Sequence, residues 1–565
     1  MSSIFSFYRN RLAQVTAAVA SSGVMPCKGI GKFLGLFCLC CLLVIGCNRS
    51  DRPVTPANSS SSASSNRITL GTTSNVRTLD PADAFEIFSG NLLYNLGDRL
   101  YGYEPGTTDL KPQLATELPK VSGDGLVYRI PLRKGVLFHD GAPFNAQAMA
   151  FSLNRFITNG GQPAFLLADT VKSVQATGDY EITIQLKKPF AAFPALLAFS
   201  GLCAVSPKAY ETGAGKFKPS TFVGTGPYKL AAYGSDSLRL DAFDKYWGKK
   251  SANQGVDIQI FSSSANLFNN FRTSAVDVAY QFLDPDQIKT LADRAQKGDW
   301  QAIAGPGNVI TYLTLNLKDQ PLDRVEVRRA IAAMINRQLL QERVFQGQAE
   351  ALYSLIPTIF AVNKPVFQVP SADGKPAKIQ ELLKQAGYSS DKPLKINLWY
   401  RSNVASNGLA ATTLKASAQK ELGDAVQVEL SSVESATAYQ NLDKGIYPIF
   451  MLDWYGDFYD PDNYIQPFLA CEQGSAKSGC QKGASQSQGS FFYSERANQL
   501  IDQERREQNV AKRQQLFVEL QNILAEEVPF IPLWQNKDYA FAQKGINGLR
   551  LEPTQQFPFW TMSKS

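Results

Sequence analysis

The chain has 565 residues, 44% hydrophobic and 19% charged, which is enough apolar material for folded cores and, by length alone, for roughly three or four domains. Its net charge of +7 is uneven: Arg9, Arg11, Lys28 and Lys32 precede Cys47 with no acid among them, leaving 53 basic against 50 acidic residues for the remainder. That balance excludes a broad nucleic-acid-binding surface, and the single histidine, His139, excludes a histidine-rich metal site and leaves one candidate for histidine acid–base chemistry.

Lys28 and Lys32 lead into an apolar run, Phe33 to Ile45, shorter than the about 20 residues that a membrane span needs. A basic start, a short apolar run and then small residues describe an export signal. The run closes as Leu43-Val44-Ile45-Gly46-Cys47, which resembles the lipobox of bacterial lipoproteins. That resemblance implies cleavage before Cys47 and acylation of Cys47, and more than one acyl chain gives stable membrane anchoring. The alternative is an uncleaved anchor with an incidental cysteine. Residues 1–46 are read as the signal peptide, with Met25 a candidate start that gives a signal of ordinary length. Residues 47–65, rich in Ser, Pro and Ala, cannot bury a core and read as a flexible tether.

The body opens with a strand at Ile68-Thr69-Leu70-Gly71, a turn at Thr78-Leu79-Asp80-Pro81 and a helix from Phe85 to Leu100. Tyr128 to Arg133 alternates as a strand, His139-Asp140-Gly141 turns, and Asn145 caps a helix from Ala146 to Ile157. Tyr180 to Leu186 is a further strand. Val223-Gly224-Thr225-Gly226-Pro227-Tyr228 has glycines suited to a tight bend; it lacks the Lys-Ser/Thr ending of a phosphate loop, which excludes nucleotide binding there. Asp323-Arg324-Val325-Glu326 reads as a capping box launching one helix, Val327 to Gln346. A strand from Leu394 to Tyr400 leads to Arg401. Helices follow at Leu409 to Leu422, Ser494 to Gln508 and Val510 to Glu527, and Pro529 to Trp534 makes a short closing strand. Strands and helices mix without regular alternation or repeat, which predicts an α/β fold of irregular topology in two lobes.

Cys203 lies in an apolar run and reads as a buried thiol. Cys471 and Cys480 bracket a short loop; in an exported chain such a pair implies a disulfide, and no further ligands stand nearby to make a metal site.

The stretch Asp453-Trp454-Tyr455-Gly456-Asp457-Phe458-Tyr459-Asp460-Pro461-Asp462-Asn463-Tyr464 packs four acids and five aromatics into twelve positions. It follows the apolar run Tyr447 to Leu452, which reads as a strand, and Asp460-Pro461-Asp462-Asn463 reads as a turn. A strand end delivering a carboxylate among rings suits a pocket for a cationic, partly apolar ligand. An aromatic core with its acids facing water is the alternative.

With these pieces in order, the body resembles the peptide and nickel class of ABC-transporter solute-binding proteins, solute-binding protein family 5. The resemblance rests on Thr78-Leu79-Asp80-Pro81, Leu132-Arg133-Lys134-Gly135-Val136, Phe138-His139-Asp140-Gly141-Ala142-Pro143-Phe144, Gly224-Thr225-Gly226-Pro227-Tyr228, Tyr246-Trp247-Gly248, Val327-Arg328-Arg329-Ala330-Ile331, Asp460-Pro461 and Pro529-Phe530-Ile531-Pro532-Leu533. It implies an α/β, two-lobed periplasmic-binding-protein fold of type II, with an extra domain in the first lobe and ligand in the interlobe cleft. Lobe one is expected at 66–307 and 532–565, including the extra domain at about 106–221, and lobe two at 308–531.

The resemblance also assigns roles. Asp457 pairs with a ligand α-ammonium, and Trp454, Tyr455 and Phe458 wall the ligand side chains. Arg401, following Trp399 and Tyr400, clamps the ligand carboxylate, and Trp399 is counted with the binding residues. Asp453 and Asp460 are expected as turn or surface acids. His139 falls in a turn of the extra domain, away from ligand. The histidine that nickel-binding members carry in the later lobe has no counterpart, which lowers a nickel reading. The function expected is a monomeric, lipid-anchored, extracytoplasmic protein that delivers short peptides to the permease and ATPase subunits of an ABC importer, without cofactor or covalent chemistry. Alternatives are import of glutathione, an opine, a sugar or a chelated metal such as nickel, or a receptor without transport. A hydrolase is excluded by the lone histidine and the absence of Gly-x-Ser-x-Gly.

Overall fold

Alternating burial builds the strands. In Glu181–Leu186, Ile182, Ile184 and Leu186 are buried while the residues between them remain half-exposed, so one face meets a core and the other meets water. The computed structural model describes residues 66–281, 283–368 and 373–565; the expected signal, Cys47 and the tether lie outside the described residues.

Eleven strands form the main sheet: β1 (Arg67–Thr72), β2 (Tyr228–Tyr233), β3 (Ser237–Ala242), β4 (Gly255–Ile260), β5 (Val278–Tyr280), β6 (Gln301–Leu315), β7 (Ala349–Ala351), β8 (Leu394–Arg401), β9 (Val426–Val433), β10 (Ile449–Trp454) and β11 (Phe530–Ala542). Their order is β9-β8-β10-β6-β11-β5-β1-β4-β3-β2, with β7 also paired to β11. The antiparallel pair β6 and β11 runs through both halves. Gln301–Pro306 pairs with Lys537–Ala542, beside β5; Ile310–Thr314 pairs with Phe530–Gln535, beside β10. Between them the register breaks over Gly307-Asn308-Val309. Gly307 has no room for a side chain there, because a Cβ would lie 2.8 Å from the Asn536 carbonyl oxygen.

Apolar packing divides on either side of this break. Leu70, Leu92, Tyr228, Ile258 and Phe557 belong to one core, whereas Leu313, Val327, Leu398 and Met451 belong to a second and Tyr312, Phe468 and Leu520 to a third. A separate four-stranded antiparallel sheet, in the order Lys120–Val121, Val127–Pro131, Glu181–Leu186 and Val171–Gly178, packs with the helix Ala146–Thr158 around Tyr128, Phe138, Met149 and Phe193. Asn145 caps that helix by accepting from the Ala148 N–H.

Two buried acids tie the sequence motifs together. Asp80 of Thr-Leu-Asp-Pro takes both terminal nitrogens of Arg155 at 2.8 and 2.7 Å, a fork that holds the turn against the helix. Asp98 accepts from Thr225 Oγ1 (3.0 Å), Tyr246 Oη (3.1 Å), Trp247 Nε1 (2.8 Å) and Gln113 Nε2 (2.8 Å), so the Gly-Thr-Gly-Pro and Tyr-Trp-Gly motifs converge on one carboxyl group.

Several local expectations change. The single helix from Val327 to Gln346 is two helices, Val325–Met334 and Arg337–Arg343. Ile335 between them is extended, and Asn336 caps the second by accepting from Leu339 N–H. No side-chain cap from Asp323 forms at the first helix, so the capping box is absent. The short closing strand is the first half of β11. Gly224 and Gly226 serve close approach rather than a bend: neither has positive φ, and a Cβ on Gly226 would lie 2.4 Å from the Leu96 carbonyl carbon.

Cys471 and Cys480 are joined in a disulfide with their Cα atoms 5.7 Å apart, and Cys203 is a buried free thiol. Among the described residues no helix is long and apolar enough to cross a membrane, and no cluster of His, Cys, Asp or Glu is arranged to hold a metal ion.

His139 sits with Nε2 3.0 Å from the Gly226 carbonyl oxygen and Nδ1 accepting from Gly224 N–H, a neutral tautomer that closes the Gly-Thr-Gly loop. Burial pushes its pKa down to about 4. The unfolded chain therefore binds the extra proton between pH 6.5 and 4, and the stability held by neutral His139 is lost as pH falls through that window, up to about 3 kcal/mol. Urea denaturation at pH 7 and pH 4.5 should show a smaller acid loss in His139→Gln than in wild type; equal losses would refute the assignment.

Candidate ligand-binding site

The strand β10 carries the acidic aromatic stretch out of the core. Ile449 to Leu452 are buried, whereas Asp453 and Trp454 are half-buried where the strand emerges between β8 and β6. The chain then loops through Tyr455 to Tyr459 and re-enters a short 3-10 helix, Pro461–Tyr464, capped by Asp460, which accepts from Asp462 N–H at 2.9 Å. Asn463 fixes the loop from below: its Oδ1 accepts from Trp454 Nε1 (3.1 Å) and from the Asp457 backbone N–H (3.3 Å). Gly456 is required by contact, since a Cβ would lie 2.4 Å from the Tyr464 hydroxyl, which donates to the Asn308 carbonyl in the register break.

Three of the stretch's four acids already have arginine partners. Asp453 pairs with Arg401 at the end of β8, whose guanidinium also donates to Tyr439 Oη at 3.0 Å. Asp460 takes a fork from Arg513 at 2.7 Å to each oxygen. Asp462 takes a fork from Arg505 at 2.9 and 2.7 Å. Glu504, 1% exposed, lies 2.9 Å from Arg513. Three buried carboxylates thus face two guanidiniums. Burial first and then Asp462 push Glu504 well up, while the Arg505 guanidinium holds Asp462 down although burial opposes it.

Asp457 is the exception. Among the described residues no arginine or lysine pairs with its carboxylate. Solvent still reaches the side chain, yet the surrounding protein strips enough water that burial alone pushes its pKa up to about 7. Tyr455 stands beside it, half-buried, with its phenol pushed up by burial first and then by Asp538 and Asp457. The arrangement is a carboxylate of neutral-range pKa beside a tyrosine, with no cation among the described residues paired to it.

The remaining expected residues scatter. Trp454 packs edge-on against Phe468 and is held by Asn463, while Trp399 packs on Tyr447 at 5.0 Å. Phe458, expected as a pocket wall, is 8% exposed and packs on Phe190 at 5.7 Å within the core of the four-stranded sheet. Its ring joins the stretch to that core. Asp453 is a strand residue in an ion pair, not a turn or surface acid. Asp460 is a turn acid, but a buried one. Arg401, expected as a free clamp, is 6% exposed and already holds a carboxylate.

Glu504, Arg505 and Arg513 lie on polar helices whose spacing reads as surface, so nothing local marked them as the platform under the stretch. Asp538 was missed too. The polar run Gln535-Asn536-Lys537-Asp538 inside a central strand is the signal that could have found it.

The two kinds of acid differ in what their removal does. Arg513→Met leaves Asp460 and Glu504 without their cation and should destabilise by about 3–5 kcal/mol. Asp457→Asn should do the reverse in unliganded protein. The folded pKa lies above the unfolded value of 3.8, so ionising Asp457 costs stability that accumulates from about pH 4 to pH 7 and stays lost above it. Thermal melts should show Asp457→Asn more stable than wild type at pH 8 and equal to it at pH 4; a less stable variant at pH 8 would refute the isolated-carboxylate description.

The model of the bacterial extracellular solute-binding proteins, family 5 (middle region), matches residues 109–476. The glutathione-binding protein GsiB of Salmonella choleraesuis is 27% identical over 500 residues, covering 86% of this chain and 92% of that one. The dipeptide-binding protein of Escherichia coli K12 is 27% identical over 505 residues, covering 83% and 89%. The structure of HbpA2 from Haemophilus parasuis superposes with a TM-score of 0.77 at 22% identity, covering 88% of this chain and 100% of that one.

Proposed function

The chain belongs to family 5 of the bacterial extracellular solute-binding proteins, and from that premise we propose that it is the lipid-anchored receptor of an ABC importer, capturing short peptides by their α-ammonium at Asp457. The observation that carries the reading is the isolation of Asp457 within a stretch whose other three acids are neutralised by Arg401, Arg513 and Arg505. A carboxylate stripped of part of its water and given no cation is destabilised, and an arriving ammonium restores both its charge and its hydrogen bonds. The dipeptide-binding relative supports the peptide class. The glutathione-binding relative supports a second reading, because glutathione also presents an α-ammonium to such an acid.

In this reading the lobes are residues 66–307 with 532–565 and residues 308–531. The register break of β6 against β11 is the flexure between them, and ligand is enclosed when they close. Cys47 supplies the anchor and 47–65 the tether that lets the body reach the permease. Arg401 serves the ligand carboxylate by exchange: Asp453 occupies the guanidinium until a peptide carboxylate replaces it, with Trp399 and Trp454 flanking the two strand ends.

Calorimetric titration with a panel of dipeptides tests the first half. Asp457→Asn should lose on the order of 2–5 kcal/mol of binding to any peptide that wild type holds. Wild-type affinity should fall as pH drops below 7, where Asp457 takes up its proton; unchanged affinity in either case would sink the assignment. The second half is tested by end-blocking: Arg401→Gln should weaken a free dipeptide by about tenfold or more and its C-terminal amide hardly at all. Equal losses for both ligands would remove Arg401 from the carboxylate end.

A further inference from the structure

The end of lobe one farthest from the register break has a charge that ligand capture does not use. Strand register places it. Leu70 of β1 pairs with Val278 of β5, Val278 with Ala542 of β11, and Ala542 with Gln301 of β6. Asn66, just before β1, therefore lies about ten residues along the strands from the break at 307–309, or about 33 Å at the usual rise. The chain enters the body at this end, and Asn66 is fastened there. Its carbonyl accepts from Gln254 N–H at 2.8 Å, its Nδ2 donates to the Ala252 carbonyl at 2.9 Å, and its Oδ1 accepts from Lys564 N–H at 2.9 Å.

Four connections meet around Asn66: residues 243–254 between β3 and β4, the end of the helix Ser264–Arg272 before β5, the end of the helix Pro285–Gln296 before β6, and the chain that leaves β11. They are tied together. Ala242 N–H donates to the Gln254 carbonyl at 3.0 Å, Gln543 Nε2 to the Phe271 carbonyl at 2.6 Å, and Gln301 Nε2 to the Gln543 carbonyl at 3.2 Å. Ser565 N–H donates to the Gly545 carbonyl at 2.9 Å, and Lys564 pairs with Asp277 at 2.8 Å.

Lys245, Lys249, Lys250, Arg272, Lys297 and Lys544 are exposed on these connections, and among the described residues no acid pairs with any of them. The acids of the same end are spent internally. Asp277 holds Lys564, Asp299 holds Arg294 at 2.7 Å, and Asp241 and Asp257 share Arg67 at 2.8 Å, which leaves Asp244. After Cys47 the chain carries 53 basic against 50 acidic residues; with these six and Asp244 set apart, the rest carries 47 against 49. The whole positive excess of the body is thus gathered around Asn66. Arg272 and Lys297 also offset helix C-termini, where a cation is favourable. Lys245, Lys249, Lys250 and Lys544 have no helix end to serve.

We propose that this cationic end docks on a bilayer whose facing leaflet has anionic headgroups, so that the body rests tether-side down with its cleft turned away from the membrane. The inference rests on the lipid-anchor reading of Cys47. A Ser-rich chain as long as 47–65 keeps its ends about 25 Å apart, so an anchored Cys47 holds the end around Asn66 close to the headgroups. Each Lys or Arg brought to such a surface strengthens binding about fivefold, and the attraction fades within a Debye length of about 8 Å at physiological salt. The contact therefore holds the body when it is near and releases it once lifted toward the permease.

Vesicle sedimentation tests the surface with the mature chain from residue 47 carrying Cys47→Ser, so that no acyl chain contributes. It should bind phosphatidylcholine vesicles containing about one third phosphatidylglycerol about tenfold or more tightly than pure phosphatidylcholine, and high salt should abolish the difference. Lys249→Glu with Lys250→Glu should weaken binding to the anionic vesicles by about tenfold or more. Lys384→Glu with Lys415→Glu, exposed lysines of lobe two, makes the same change in net charge and should weaken it less than about twofold. Equal binding to both kinds of vesicle, or equal losses in the two double variants, would overturn the proposal. Salt-sensitive cross-linking of Lys249 to a membrane protein without any vesicle preference would assign this end to a protein partner and overturn it too. The anchor is read separately, by mass spectrometry of mature wild type extracted from membranes: acyl mass on Cys47 supports the premise, and an unmodified Cys47 removes it and the inference together, whatever the vesicles show.

Discussion

The antiparallel pairing of β6 with β11 is the constraint on which the rest is hung. These two strands belong to both halves of the main sheet: their outer partners are β10 on one side and β5 on the other. The strand β10 is placed by its register with β6, where Ile310 faces Trp454 and Leu315 faces Ile449. The loop that presents Asp457 therefore leaves the sheet level with the register break at 307–309, the point at which Tyr464 is anchored to Asn308. A sheet with a continuous ladder resists bending because every backbone group is paired. The short break in this ladder is where the proposed flexure falls, level with the candidate site.

Charge balance then selects one acid out of many. Asp460 and Asp462 lie in the interior, where an unpaired carboxylate is expensive, and Arg513 and Arg505 reach them as bidentate forks. Arg505 also reaches the first half of the body. The Arg505 guanidinium stacks over the Phe190 ring at 5.0 Å and its carbonyl accepts from Ala191 N–H at 2.7 Å. The platform beneath the loop is thus also a contact across the two halves, reinforced by Phe458 on Phe190 and by Tyr459 edge-on to Tyr103 at 5.4 Å. In the proposed reading, this paired platform holds the Asp457 loop in place before ligand arrives, which lowers the ordering cost of binding. Stability is surrendered at Asp457 and recovered from the surrounding pairs and rings.

Local chemistry made much of the scaffold readable. Ala146–Thr158 was legible because Asn145 is a strong capping residue ahead of a periodic apolar face; Val510–Glu527 proves to be capped by Asn509 in the same way. Alternation gave Glu181–Leu186, and the Asp460-Pro461 turn followed from a side chain that bonds its own backbone next to a fixed φ. Where local signals conflict, tertiary packing decided. The run from Val327 to Gln346 has a continuous helical pattern, but Ile335 is drawn into the core in an extended conformation and Asn336 restarts the helix. Gly224 and Gly226 looked like a bend and are a close approach, because the Leu96 backbone that crowds them comes from far earlier in the chain.

The sequence by itself determined the α/β class, the family motifs in their order, and the stretch from Asp453 to Tyr464 as the place to look, since these depend on periodicity, turn chemistry and composition within a few residues. Which acid in that stretch stays open was decided only by the tertiary structure. Arg505 and Arg513 neutralise Asp462 and Asp460 from 43 and 53 residues away, Arg401 reaches Asp453 across neighbouring strands from 52 residues away, and Phe458 is withdrawn into another core. The desolvation of Asp457, and its isolation from every cation among the described residues, are sums over neighbours that no local pattern encodes, because Coulomb and solvation energies depend on distance in space and not on distance along the chain.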